Sequence, residues 1–262
     1  MQLLDRQYCA KVGFLVSGRV QSVLTQDGDF KELIERAENT LLEMKAVLRG
    51  SAFSDTSACF LDTFVEHVDD QEVFVMQSNM ALPFDLKATV TALWKVLSTD
   101  TIDEYCYYHQ VVQKSETVIV QTFGIRYVDD VTDVDFRGKY IFSRFKDGDY
   151  VVIVWVAECE PIEVNGTQCS GVQCQTTGWI QLSAQKSVKI YGTLARAYSR
   201  LNVVSPRDKL DVTPQLHSFL SLAQRMHDKF MVSFSSVLDK ALIEEDWKMN
   251  GGCTETRDFT TD

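Results

Sequence analysis

Residues 213–247 read TPQLHSFLSLAQRMHDKFMVSFSSVLDKALIEEDW. Thr213-Pro214 is a helix start. The threonine hydroxyl can accept from the first free N–H groups, and proline fits the first helical position. Leu216, Phe219, Leu220, Ala223, Met226, Phe230, Phe234, Val237, Leu238 and Ala241 then recur every three or four residues, which places them on one stripe. Asn250-Gly251-Gly252 closes the segment. The spacing predicts a helix from Pro214 to Trp247, roughly 50 Å long at ~1.5 Å per residue. A rod with that much aromatic and methionine surface needs a large apolar partner. Almost everything before it reads as strand, so the expected architecture is α+β, a curved antiparallel sheet gripping the last helix.

Upstream, Cys59–His67 and Glu72–Met80 alternate as a strand pair around Asp69-Asp70. Asp85 caps a short helix through Leu97, with Leu86, Val90, Leu93, Trp94 and Leu97 inward. Six strands follow: Tyr105–Lys114, Thr117–Tyr127, Arg137–Phe145, Tyr150–Cys159, Cys174–Leu182 and Val188–Tyr198. Asp147-Gly148 is the strongest turn signal and suits a two-residue type I′ loop. That loop would set Lys146 opposite Asp149, Phe142 opposite Ile153 and Tyr140 opposite Trp155. Both faces of this hairpin are apolar, so it should be central and covered on both sides. Residues 30–48 read as a further helix, with Phe30, Ile34, Ala37, Leu41, Met44 and Leu48 in heptad spacing. That stripe suits docking on the domain, or a homo- or hetero-oligomeric zipper.

The chain has 262 residues, 45% hydrophobic and 24% charged, with a net charge of −11 and a pI near 4.9. An acidic balance argues against direct nucleic-acid binding and against firm docking on anionic lipid. The start of the sequence lacks a basic region followed by an apolar run, so an intracellular, non-secreted protein is expected. No apolar run approaches the ~18 residues of a membrane span, so no stable membrane insertion is expected. Seven cysteines in such a chain are expected as reduced thiols.

Three stretches carry a resemblance: Leu82-Pro83-Phe84-Asp85 leading to Trp94, Gly138-Lys139-Tyr140 through Trp155, and Thr177-Gly178-Trp179. With the long helix last, the chain resembles the START-like (Bet v 1-like) helix-grip family, most of all the oomycete START-like and mating-specific proteins. The resemblance covers roughly residues 55–247. It implies a sheet and a C-terminal helix enclosing a hydrophobic cavity. Many relatives carry a helical, often zipper-like N-terminal extension, and residues 30–48 fit its end, without a preceding basic stretch. The expected organisation is therefore a helical extension over residues 1–54, the domain over 55–250 and a flexible tail over 251–262.

A cavity of that kind would be lined from the concave sheet face and the inner helix face. Tyr140, Arg144 and Trp155 are candidates on one hairpin face, Trp179 and Tyr191 on the last strands, and Met226, His227, Phe230 and Met231 on the helix. Arg126 is a further polar anchor. Arg144 and Glu158 fall on opposite faces and should not pair with each other. Catalytic and metal signatures are missing from the sequence. His217 and His227 are ten residues apart, about 15 Å along a helix, too far to share a metal. Cys159, Cys169 and Cys174 lack knuckle spacing, the acidic loop Asp129–Asp135 lacks the calcium pattern, and no phosphate-binding glycine loop or nucleophile elbow occurs. No cofactor is expected. The leading expectation is non-catalytic binding of a lipid or other hydrophobic molecule. The alternatives are a regulatory interaction module with a filled core, assembling through residues 30–48, and a cavity-based cyclase or hydrolase.

Overall fold

The computed structural model describes residues 30–54, 59–68, 71–99, 106–169, 171–187, 190–204 and 213–250. Residues 1–29, the turn at Asp69-Asp70, the strand start at Val188, the segment 205–212 and the tail 251–262 lie outside these, as do the side chains of Tyr191, Leu216 and His217.

In chain order the elements are α1 (Lys31–Leu48), β1 (Phe60–Val68), β2 (Gln71–Leu82), α2 (Leu86–Leu97), β3 (Cys106–Lys114), β4 (Val118–Val128), β5 (Asp133–Asp147), β6 (Tyr150–Val164), β7 (Thr167–Gln168), β8 (Gln173–Ser187), β9 (Ile190–Val204) and α3 (Thr213–Met249). The strands form one antiparallel sheet in the order β1-β2-β9-β8-β6-β5-β4-β3, with the short β7 against β6. Strands β3 to β9 run as a meander. β9 then pairs with β2, from Val73↔Asn202 to Leu82↔Thr193, and so joins the first hairpin to the last strand.

The β5–β6 hairpin is central, as its two apolar faces require. Its register differs by two residues from the expected one: Phe142 pairs with Trp155, Tyr140 with Ala157 and Asp147 with Tyr150. The loop residues are Gly148 and Asp149, and only Gly148 has positive φ, +57°. A glycine at the first central position is the type II′ solution, one residue later than the type I′ loop expected from Asp147-Gly148. A two-residue shift preserves the side-chain alternation, so the face assignments stand.

The outer face of the sheet is covered by α1. Phe30, Leu33, Ala37, Leu41 and Met44 are buried against Val118, Val120, Ile141, Val152, Val154, Val156 and Trp179. The heptad stripe of 30–48 thus packs on the sheet of its own chain. Arg36 of α1 holds Glu158 of β6 in a hydrogen-bonded ion pair, and Lys139 Nζ lies 3.6 Å from the same carboxylate. Glu158 does pair away from Arg144, as the opposite-face reading required.

The inner face carries α2 and α3. The Asp85 carboxylate accepts from the Lys87 N–H at 2.7 Å and starts α2. Leu93, Trp94 and Leu97 pack on Ile119, Ile153, Leu182 and Ala195 of the sheet. Ala92 and Val96 pack instead on Ala241 and Leu242 of α3, so α2 wedges between the sheet and the end of the long helix. At its other end α3 is held by Phe219, Leu220 and Leu222 against Phe74, Tyr127, Val134, Phe136 and Val203. This is the helix-grip arrangement. No helix among the described residues is long and apolar enough to cross a membrane.

Candidate functional site

Between those two anchored ends, the middle of α3 is less enclosed. Met226, His227, Met231, Phe234, Val237 and Leu238 are half-buried, and Phe230 is 41% exposed. Spacing places Met226, Phe230, Phe234 and Val237 on one flank of the helix; Met226 packs toward the cluster at the start of α3, and Phe234 and Val237 pack toward α2. Phe230 stacks on Phe234, with ring centroids 5.8 Å apart. The sheet residues opposite show the same property. Tyr140, Phe142, Trp155, Ala157, Ile180, Ala197 and Leu201 lie mid-strand on the inner face, yet each stays half-buried. Mid-strand positions of central strands are normally the most enclosed in a sheet, and their outer-face neighbours Val152, Val154 and Val156 are fully buried.

The aromatic lining is fixed locally. Tyr140 stacks edge-on with Phe142 at 5.0 Å and tilts against Phe123 at 5.6 Å. Trp155 lies across Gly178, the residue paired with it on β8, and a Cβ there would collide with the indole. Glycine at 178 is therefore what lets Trp155 lie flat on the inner face. The polar groups on this face are few. His109 Nε2 is 3.3 Å from the Tyr140 hydroxyl. Gln121, opposite Tyr140, is fully buried, and neither of its amide atoms has a hydrogen-bond partner. Its inward position follows from the alternation of β4, which is the only signal that could have singled it out. His227 sits against β2, with Nε2 3.1 Å from the Met76 sulfur and the ring edge-on to Phe74 at 5.7 Å. Burial holds its pKa below the ordinary value, and Asp228 partly opposes this. Cys159 and Cys174 face each other across β6 and β8 beneath the start of α3; bonding to Cys174, together with burial, pushes the Cys159 thiol well up.

Of the expected lining residues, Tyr140, Arg144 and Trp155 lie on the inner sheet face, Met226 packs toward the cluster at the start of α3, and His227 sits against β2; Phe230 and Met231 lie on the same stretch of the helix, with Phe230 stacked on Phe234. Two of the expected lining residues lie elsewhere. Trp179 is 1% exposed and points to the outer face, where it packs against Phe53 and Tyr198 beneath α1. Alternation decides this: its neighbours Gly178 and Ile180 point inward. Arg126 is on the outer face as well. It is exposed and donates to Asp133 through Nε at 2.9 Å and Nη2 at 2.7 Å. The side chain of Tyr191 lies outside the described residues.

No family model and no curated protein matches the chain. Solved structures do. The Zhui aromatase/cyclase from a Streptomyces species is 11% identical over 68% of this chain and 96% of its own, with a TM-score of 0.41. A STAR-related lipid transfer protein fragment from Xanthomonas axonopodis is 12% identical over 69% of this chain and 98% of its own, with a TM-score of 0.39. Human StAR-related lipid transfer protein 5 is 12% identical over 80% of this chain and 96% of its own, with a TM-score of 0.41. The likeness is one of fold.

Proposed function

We propose that the inner sheet face and the middle of α3 enclose a chamber that binds a lipid or other hydrophobic molecule without transforming it. One observation carries this reading. A row of aromatic and aliphatic residues on the central strands keeps accessible surface beneath a helix that is enclosed at its two ends and half-buried between them. Apolar surface left in that state gains about 2.5 kcal/mol for every 100 Å² that a ligand covers. Met226 and Met231 add flexible, polarizable walls that adapt to an irregular guest. Admission would require the Phe230 region of α3 to move, since it lies between the segments tied to β2 and to α2.

The test is native mass spectrometry of purified protein after incubation with a total lipid extract. Bound species are expected with the wild type and are lost in Phe230→Glu and Met231→Trp. Both variants should keep the wild-type circular dichroism spectrum, because neither side chain is part of the enclosed core. A folded wild type that repeatedly emerges empty would overturn the proposal. One observation favours an enzyme instead: the His109–Tyr140 pair is a ready proton relay facing the same space. Recovering the bound molecule chemically altered, in a way that His109→Gln abolishes, would decide for that reading.

A further inference from the structure

The chamber has a chemically distinct end. At the α2 side the apolar lining of β5 gives way to Arg144, paired with Ile153 on the inner face and two residues beyond Phe142. Its backbone N–H donates to Thr117 O at 2.7 Å, which fixes the Cα on the β4 rung. Its guanidinium lies over the Trp94 ring, 4.9 Å from the centroid, and Trp94 is itself buried in the last turn of α2. A cation over an indole is held in place without having its charge neutralised. Among the described residues no carboxylate comes within ion-pairing distance of Arg144, and none of its side-chain N–H groups is hydrogen-bonded. Glu116 acts on it only through its field, while burial pushes the guanidinium down from its ordinary pKa. Two lysines share this end of the face with Glu116. Lys114 Nζ donates to Ser98 O at 3.0 Å at the end of α2, and the exposed Lys146 lies one step further along the same face.

Half-buried guanidinium groups are normally satisfied by a carboxylate or phosphate, often through two parallel hydrogen bonds. We propose that Arg144, seated on Trp94, is the anchor for the anionic head group of an amphipathic ligand, a carboxylate or a phosphate, whose hydrocarbon lies along Phe142, Trp155 and Tyr140. This rests on the chamber reading above. The geometry sets an order along the ligand: from Arg144 to Tyr140 is four strand residues, about 13 Å. The head is therefore at the α2 end and the tail points toward β2 and the start of α3.

The experiment measures displacement of the neutral dye N-phenylnaphthylamine from the full chain by three sixteen-carbon probes: palmitate, palmitoyl lysophosphatidate and hexadecanol. Wild type is expected to hold at least one of the two anions about 10- to 100-fold more tightly than the alcohol, the range for hydrogen bonds to a charged group. Arg144→Met keeps the apolar stem and removes the charge. It should abolish that gap by weakening the anions most, and Arg144→Lys should keep part of it. The tighter anion identifies the head group. Equal affinities for all three probes in wild type, or a gap that survives in Arg144→Met, would overturn the assignment and leave the chamber standing. Failure of both the dye and hexadecanol to bind folded wild type would remove the chamber and the anchor together. The wild-type comparison needs no variant, so a failure of Arg144→Met to fold does not shield the proposal.

Discussion

The two faces of the same central strands are covered in opposite ways. On the outer face an 18-residue helix seals Val152, Val154, Val156, Ile141 and Trp179 almost completely. On the inner face a 37-residue helix, twice as long, leaves Trp155, Tyr140 and Phe142 half-buried. Helix length is therefore not what fills a face. α1 buries Leu33, Ala37, Leu41 and Met44 against the sheet. α3 rests on the sheet through Phe219, Leu220 and Leu222 near its start and on α2 through Ala241 and Leu242 near its end, and is half-buried between them. The outer face is sealed, and the inner face keeps accessible surface. The comparison can be broken by mutation, because truncations on the two faces should separate stability from binding.

The largest effect is expected at Leu41, enclosed at 1% exposure between α1 and the sheet. Leu41→Ala should cost about 3 kcal/mol, the range for an enclosed leucine that leaves a cavity. Phe230→Ala on α3 removes a larger side chain yet should cost less than about 1 kcal/mol in the absence of ligand, because Phe230 is already exposed. Chemical denaturation of both variants checks this. Similar losses at the two positions would mean that the inner face is packed as tightly as the outer.

Next is the ion pair that pins α1. Arg36→Ala leaves the Glu158 carboxylate, with 8% of its side chain exposed, dependent on Lys139 at 3.6 Å. Loss of the partner of a buried charge typically costs about 3 kcal/mol, and Lys139 should reduce that. Replacing both residues, Arg36→Met with Glu158→Met, should recover most of the loss, since no charge is then left unpaired. A thermal melt of the single and double variants distinguishes a pinning contact from a passive surface pair.

Gly178→Ala should have an intermediate effect, about 1–2 kcal/mol of overpacking. The new Cβ would lie 2.8 Å from Tyr198 O and against the Trp155 ring, which must then lift off β8. Stability should fall modestly while ligand capacity falls sharply, reversing the pattern of Leu41→Ala. Intrinsic fluorescence would report the tryptophan moving into a new environment.

Much of this was legible in the chain, and the gaps have physical causes. The long helix, the alternating strands, the cap at Asp85 and the two-sided burial of β5–β6 follow from periodicity alone. Periodicity gives faces only in relative terms, however. Thr177-Gly178-Trp179 does not say which of its two faces meets α3, and only the fold puts Trp179 beneath α1. Arg126 was ambiguous for the same reason. The Arg36–Glu158 pair and the β9–β2 pairing join residues more than a hundred positions apart, and no local pattern encodes them. The heptad stripe of α1 has the same spacing whether it meets a sheet or a second helix, so only the fold could show which surface it takes. The turn at Gly148 slipped the register by two residues, but an even slip leaves every inward residue inward.

The smallest effect is expected from titration of His227, which sits between α3 and β2. Its ring is buried between Phe74 and the Met76 sulfur, and burial holds its pKa below the ordinary value of 6.5. The unfolded chain therefore binds a proton more readily than the folded one. Stability from this group is intact above about pH 6.5, falls as the pH drops through that value, and stops falling once the folded-state histidine is itself protonated. The carboxylates with lowered pKa, Asp129, Asp133 and Glu244, act in a separate window, losing their contribution below their ordinary values near 4. Between pH 7.5 and 5.5 the wild type should thus lose stability and release a bound probe faster, because a charged imidazole has only a thioether and a phenyl ring facing it from β2. His227→Leu should flatten both responses over that interval and leave the loss near pH 4 unchanged. If the variant keeps the wild-type slope between pH 7.5 and 5.5, the grip on the middle of α3 does not depend on a neutral histidine.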